Sequence, residues 1–313
     1  MARHGVDGRH VGGGGAKAAE PTVIKLGTAT PGGGFPVYGD ALVAAINAAD
    51  PTLDVRPLNT KGSGENIPML EAGKLDIALV QGESAYEALN GIGRPAANLR
   101  IFTAMYSSPG MFVVKAASPA RSIADLKGKP VAFGAAGSGL VILARYVLDG
   151  IGLDQTKDFG AVFLERAGDG PAMVADGRVA ALWGGGIGWP GFTTVSNAPG
   201  GARFIVPTAD EIKRIQAKHP FLKTLVVPAG SYPGQAAAIT SVGSYSFVLM
   251  RPDLDEAVAY RLAKALHAAE ADLAKRLPQA AETTARNTVA ALPRPELLHP
   301  GAARYFREAG LMP

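Results

Sequence analysis

Short β-rich runs and stripes of 3.6-residue period take turns along this chain. Val23–Ala29 reads as a strand that ends in Thr30-Pro31-Gly32-Gly33-Gly34. A helical stripe of Tyr38, Leu42, Ala45 and Ile46 follows, with Pro36 tolerated in its first turn. Leu53–Leu58 predicts a second strand, Asn59–Gly64 a glycine-rich turn, and Glu65–Ala72 a short helix closed by Gly73. Asp76–Val80 predicts a buried strand, Gln81-Gly82 a turn, and Glu83–Leu89 a third helix. Strands alternating with helices imply parallel pairing and an α/β layer fold.

The scheme restarts at Met111–Lys115, a strand. Ser122 and Asp125 form a capping box on a short helix stopped by Gly128. Val131–Gly134 is the next strand, running through Ala135–Gly139 into a helix over Leu140–Leu148. Asp169 is placed as the cap of a helix through Ala175, and Val179–Trp183 is a strand ending in three glycines. Ser246–Met250 returns as a strand. After it Asp253 and Glu256 read as a capping box on a long helix with Val258, Leu262, Leu266, Ala269 and Leu273 on one face. The middle unit therefore reads as an insertion. One lobe comprises residues 22–110 and 243–313, the other 111–242, with crossings near Ser107–Met111 and Thr240–Tyr245.

A length of 313 residues with 47% apolar composition suits two cores. The net charge of +4 is spread without a polybasic run, which argues against nucleic acid as a partner. There is no cysteine, so disulfides, thiolate nucleophiles and Cys-based metal sites are excluded. No run approaches the length of a membrane span. Residues 1–21 read as a flexible tail, with Ala16-Lys17-Ala18 shaped like a signal-peptidase site; residues 1–18 are read as the remnant of a replaced leader.

Enzyme chemistry finds little support. His219 and His299 each precede proline, and His267 lies in the long helix; none has metal-ligand spacing or sits in a glycine turn. There is no nucleophile elbow and no P-loop. The stretch Gly186-Ile187-Gly188-Trp189-Pro190-Gly191 matches a dinucleotide fingerprint, but Pro190 interrupts the expected helix start and the chain position is late. Glu65 with Glu83 is a conceivable acid–base pair, and Lys61 with Glu65 or Asp169 the polar set of an enzyme on this fold. One of these carboxylates binding an amine is the simpler reading, and no catalysis, metal or cofactor is expected.

Three turns share a design of strand, Gly/Ser/Thr-rich loop and helix start: Thr28–Phe35, Thr60–Asn66 and Gly134–Gly139. Helix starts carry unpartnered N–H groups and favour anions, glycine admits close approach, and Ser or Thr adds hydroxyl donors. Distributed over both lobes, the three turns predict a cleft. Phe35, Tyr86, Tyr106, Trp189 and Tyr232 lie in or beside such turns, with Tyr38 and Trp183 assigned to packing.

The stretches Leu26–Phe35, Thr60–Asn66, Leu70–Gly73 with Asp76–Gln81, Asp125–Lys129 with Gly137–Gly139, Tyr232–Gln235 and His299–Ala302 together resemble the TAXI-type solute-binding proteins of TRAP transporters, over residues 22–313. The resemblance implies a two-lobed, type II periplasmic-binding-protein-like α/β fold with two hinge crossings and no enzymatic activity. It further implies a periplasmic monomer, a TRAP permease as partner, and a small organic anion or amino acid as ligand. Carried over by position, contacts fall on Thr30, Gly33, Gly34, Phe35, Gly62, Ser63, Asn66, Gln81, Ser138 and Gly139. Lys61, Glu65, Tyr106, Gly137, Gly185 and Trp189, in or beside the glycine turns, join them as candidate contacts. Lys61 stands where the family often has glycine, and the second-lobe wall at Gly184–Trp189 is unusually glycine-rich; both leave the ligand open. ABC-type binding proteins and sensors share the fold and are the alternatives.

Overall fold

Two strands carry the architecture, because each belongs to both halves of the molecule. The computed structural model describes residues 20–313, so the leader reading of residues 1–18 lies outside the described residues. In the first half, Thr22–Gly27 (β1), Leu53–Leu58 (β2) and Ile77–Val80 (β3) pair in parallel. They are linked through Gly34–Ala49 (α1) and Ser63–Glu71 (α2), with Gly82–Asn90 (α3) following β3. Arg100–Lys115 (β4) then runs for 16 residues without a break.

The second half holds Pro130–Ala135 (β5), Gly139–Gly150 (α4), Gly160–Leu164 (β6), Gly170–Ala175 (α5) and Ala181–Gly185 (β7). Pro190–Asn197 (α6), Ala202–Ile205 (β8), Ala209–Lys218 (α7) and Lys223–Val227 (β9) complete it. Ile239–Met250 (β10) leads back to Glu256–Arg276 (α8), Ala285–Ala291 (α9) and Pro300–Glu308 (α10). The sheet order is β2-β1-β3-β10-β4-β7-β5-β6.

From Arg100 to Pro109, β4 pairs antiparallel with β10; from Gly110 onward it pairs with β7 and β8 instead. β10 makes the matching change at Gly243, pairing with β9 before it and with β4 and β3 after it. The chain thus crosses twice between two lobes, on strands. Pro109, which has no N–H for a ladder, stands where β4 changes partner.

The cores sort the same way. Ile24, Leu42, Phe102, Leu262 and Phe306 belong to one buried cluster, with Leu70, Val80 and Leu249 in a second on the other sheet face. Phe112 and Val114 pack with Phe133, Leu143 and Trp183, whereas Met111 and Val113 pack with Leu182 and Phe192. That split is the two-residue period of a strand buried on both faces.

Several local readings need correction. α2 starts at Ser63, not Glu65. The cap of α8 is Asp255, which accepts from Ala257 N and Val258 N at 2.9 and 3.0 Å; Asp253 instead pairs with Arg251. Asp169 stands at the start of α5, but its carboxylate pairs with Arg166 and makes no capping bond. The Ser122/Asp125 box forms both of its bonds, yet the helix it opens is one 3₁₀ turn over Ala124–Leu126. A box absent from the reading, Thr208 with Glu211, opens α7.

Candidate functional site

Five helices start at one cavity between the lobes. Their cap residues, Gly33 of α1, Gly62 of α2, Gln81 of α3, Ser138 of α4 and Trp189 of α6, all line it. At each start the first N–H groups lack helical partners and the dipole is positive, so the fields add where the starts converge. The cavity is small, with a volume of about 40 Å³.

The polar groups of the wall are arranged as donors. Ser63 Oγ accepts from Gln81 N at 3.0 Å, Ser138 Oγ from Leu140 N at 3.2 Å, and Thr30 Oγ1 from Ala167 N at 3.2 Å. A hydroxyl that accepts from the backbone keeps its own proton to donate. Gln81 is buried, and its Nε2 has no partner. Burial pushes the Tyr106 phenol far above its ordinary pKa, which keeps it an O–H donor. Lys61 is the one charged residue on the wall, and the Glu65 carboxylate accepts from its backbone N–H, not from its ammonium.

Close packing shapes the rest. A side chain on Gly34 would lie 3.2 Å from Trp189 Cδ1 and 3.4 Å from the Tyr106 hydroxyl, so this glycine is pinched between groups from opposite lobes. Tyr232 braces the far wall: its hydroxyl donates to Gly186 O at 2.6 Å and accepts from Trp189 N at 3.3 Å. The stretch Gly186–Gly191 thus builds a helix start facing the cavity.

Of the residues singled out from sequence, the structure gathers Thr30, Gly33, Gly34, Phe35, Lys61, Gly62, Ser63, Gln81, Tyr106, Ser138, Gly139, Gly185 and Trp189 around this cavity. Three lie off its wall. Asn66 is spent on loop-to-loop bonds: Nδ2 donates to Thr28 O and Leu79 O, both at 2.8 Å, and Oδ1 accepts from Thr60 Oγ1. Glu65 turns back to accept from Lys61 N at 2.7 Å. Gly137 presents its carbonyl to Gly64 N of the opposite lobe at 3.1 Å. Glu83, the other half of the conceivable acid–base pair, is fully buried and accepts from Ser244 Oγ at 2.7 Å, so that pair does not face the cavity. Ala29, Ser108, Ala135, Leu140 and Ala167 complete the wall without having been singled out. The alanines and Leu140 carry no chemical signal, although Ala29 and Ala135 lie within the glycine turns already named, and Ser108 lies in the strand crossing.

The fold is shared with solved structures of low sequence identity. A protein from Bordetella bronchiseptica RB50 superposes with a TM-score of 0.57 at 14% identity, over 92% of this chain and 98% of that one. A protein solved with L-arginine bound gives 0.54 at 12%, over 82% of this chain and 91% of that one. A Xanthomonas citri protein solved with ATP gives 0.53 at 15%, over 93% and 97%. At such identities the likeness speaks for the fold, a mixed α/β architecture in two lobes. The match that reaches family level runs over residues 26–310, nearly the whole described chain, and by it the protein belongs to the NMT1-like family.

Proposed function

We propose that this protein is an extracytoplasmic solute-binding protein, not an enzyme, which closes its lobes on a small organic anion and delivers it to a membrane transporter. The observation that supports this most directly is the composition of the wall: five helix starts, the unpartnered Gln81 Nε2 and Lys61, with no carboxylate among them. Each helix start contributes about 0.3–1 kcal/mol to a neighbouring negative charge, more when buried. A micromolar complex requires about 8.2 kcal/mol, so one carboxylate or sulfonate held by several starts and hydroxyls accounts for much of it. An α-amino acid fits less well, since its ammonium would meet helix dipoles of the wrong sign and no acid. Residues 22–110 with 243–313, and 111–242, are the two lobes that close. The motifs quoted above favour a TRAP-type permease as the receiving partner, with an ABC transporter as the alternative for the same fold.

The test is a thermal-shift panel of mono- and dicarboxylates, alkanesulfonates, amino acids, sugars and polyamines. A ligand at 100 times its Kd adds about 2.7 kcal/mol to stability. Anions without an amine are expected to stabilise, with a smaller radius of gyration at saturation. Stabilisation by sugars or polyamines alone would overturn the proposal.

A further inference from the structure

We infer that Gly137 and Gly168 set how far the cleft closes, each seating bare backbone on the opposite lobe so that the seam itself favours the closed form. This rests on the cleft reading above and concerns residues that do not line the cavity. Gly137, in the loop after β5, accepts from Gly64 N at 3.1 Å. A β-carbon at Gly137 would stand 2.6 Å from the Lys61 carbonyl oxygen and 2.8 Å from Lys61 Cβ. Gly168, in the turn after β6, donates to Pro31 O at 3.4 Å, beside the bond from Ala167 N to Thr30 Oγ1. A β-carbon at Gly168 would lie 3.3 Å from Gly32 Cα. Both seams therefore join backbone to backbone.

Their place in the fold gives them leverage. The two loops of the first lobe follow β1 and β2, and those of the second follow β5 and β6. These strands end the sheet order, farthest from the crossing strands β4 and β10. Contacts there act with the longest arm against opening. Neither Gly137 nor Gly168 has positive φ, so alanine suits the backbone at both positions. The cost of a methyl group falls on the seam, which exists only when the lobes meet.

The absence of cysteine permits a direct test. Asp40→Cys on α1 and Ala172→Cys on α5, both exposed and on opposite lobes, carry a spin-label pair for interlobe distances by pulsed electron resonance without added ligand. The parent is expected to show a short-distance population. Gly137→Ala should shift that population to longer distance, and Gly168→Ala should do so by less, with circular dichroism unchanged in both. Distance distributions identical in the parent and Gly137→Ala overturn the inference. A parent with both populations whose short-distance fraction grows with none of the carboxylates and sulfonates overturns the cleft reading instead, so the two failures are separable.

Discussion

Gln81 Oε1 accepts a hydrogen bond from Ser246 Oγ at 3.3 Å, while Nε2 of the same amide is buried without a partner. Ser246 lies on β10, and its hydroxyl is 3.4 Å from Ser108 Oγ on β4. This side chain, part of the cavity wall, is thereby tied to both crossing strands. The proposed ligand site and the two crossing strands thus meet at one residue.

Replacing Gln81 isolates that donor. A hydrogen bond to a charged acceptor contributes about 1.5–3 kcal/mol, so Gln81→Ala should weaken an anion from the panel by roughly tenfold to a hundredfold. Gln81→Glu keeps the shape but sets a carboxylate among five helix starts, and should abolish anion binding near neutral pH. Titration calorimetry on both variants decides it. Anion affinity unchanged in Gln81→Glu would mean that the charge pattern of the wall has been misread.

Glu83 gives a pH signature. Its Oε1 accepts from Ser244 Oγ, its Oε2 has no partner, and Glu87 is the charged group that acts on it. Burial pushes its pKa up, and the bonds from Ser244, from its own backbone and from the neighbouring Gln81 side chain oppose this only in part. The folded state then holds a proton that the unfolded chain releases above about pH 4.3. In that window the native state binds more protons, so this residue's contribution falls as pH rises. Glu83→Gln removes the slope. Relative to the parent, the variant should be more stable at pH 7 than at pH 4 in urea unfolding. A difference independent of pH would show that Glu83 is ionised in the fold.

The first lobe was legible because its strands and helix stripes are separated by glycine turns, and the same turns announced three of the five helix starts. Of β4 the pattern marks only Met111–Lys115; in the fold Pro109 sits where the strand exchanges partners, and the ladder passes it. The start of α6 was hidden for a related reason. Pro190 argued against a helix opening on a Rossmann fingerprint, whereas proline in a first turn is compatible with an ordinary one. Asn66 shows the opposite error. A polar residue in a glycine turn serves a ligand or the loop, and only the position of Leu79 O, brought alongside by β3, decides for the loop.

The crossing itself tolerates no added carbon. A β-carbon at Gly243 would overlap Ser108 O, and one at Gly82 would overlap Ser244 Oγ and Tyr245 O. Overpacking against backbone costs about 1–3 kcal/mol, occasionally more. Gly243→Ala and Gly82→Ala should each lower the melting temperature by several degrees, at about 2–4 °C per kcal/mol for large domains. Gly137→Ala should leave it nearly unchanged. Equal melting temperatures for all three would show that the crossing strands move as freely as the seam opens.

The lobes also meet through α3, and here two kinds of contact can be separated. The Tyr86 ring stacks on Phe221, with centroids 4.0 Å apart and planes inclined by 12°. Next to it Glu87 pairs with Arg145 and accepts from the Tyr146 hydroxyl at 2.9 Å. Arg145 is 53% exposed, so its ion pair is worth about 0–1 kcal/mol and is screened by salt, the Debye length falling to about 3 Å at 1 M. The aromatic pair contributes about 0.5–1.5 kcal/mol beyond its buried area, with no such screening. Phe221→Ala should therefore destabilise the protein more than Arg145→Met does. Raising NaCl to 1 M should erase the Arg145→Met effect and leave that of Phe221→Ala intact. Urea unfolding of the parent and both variants at low and high salt measures the difference; an Arg145→Met effect that persists at 1 M would place the ion pair in a drier environment than its exposure indicates.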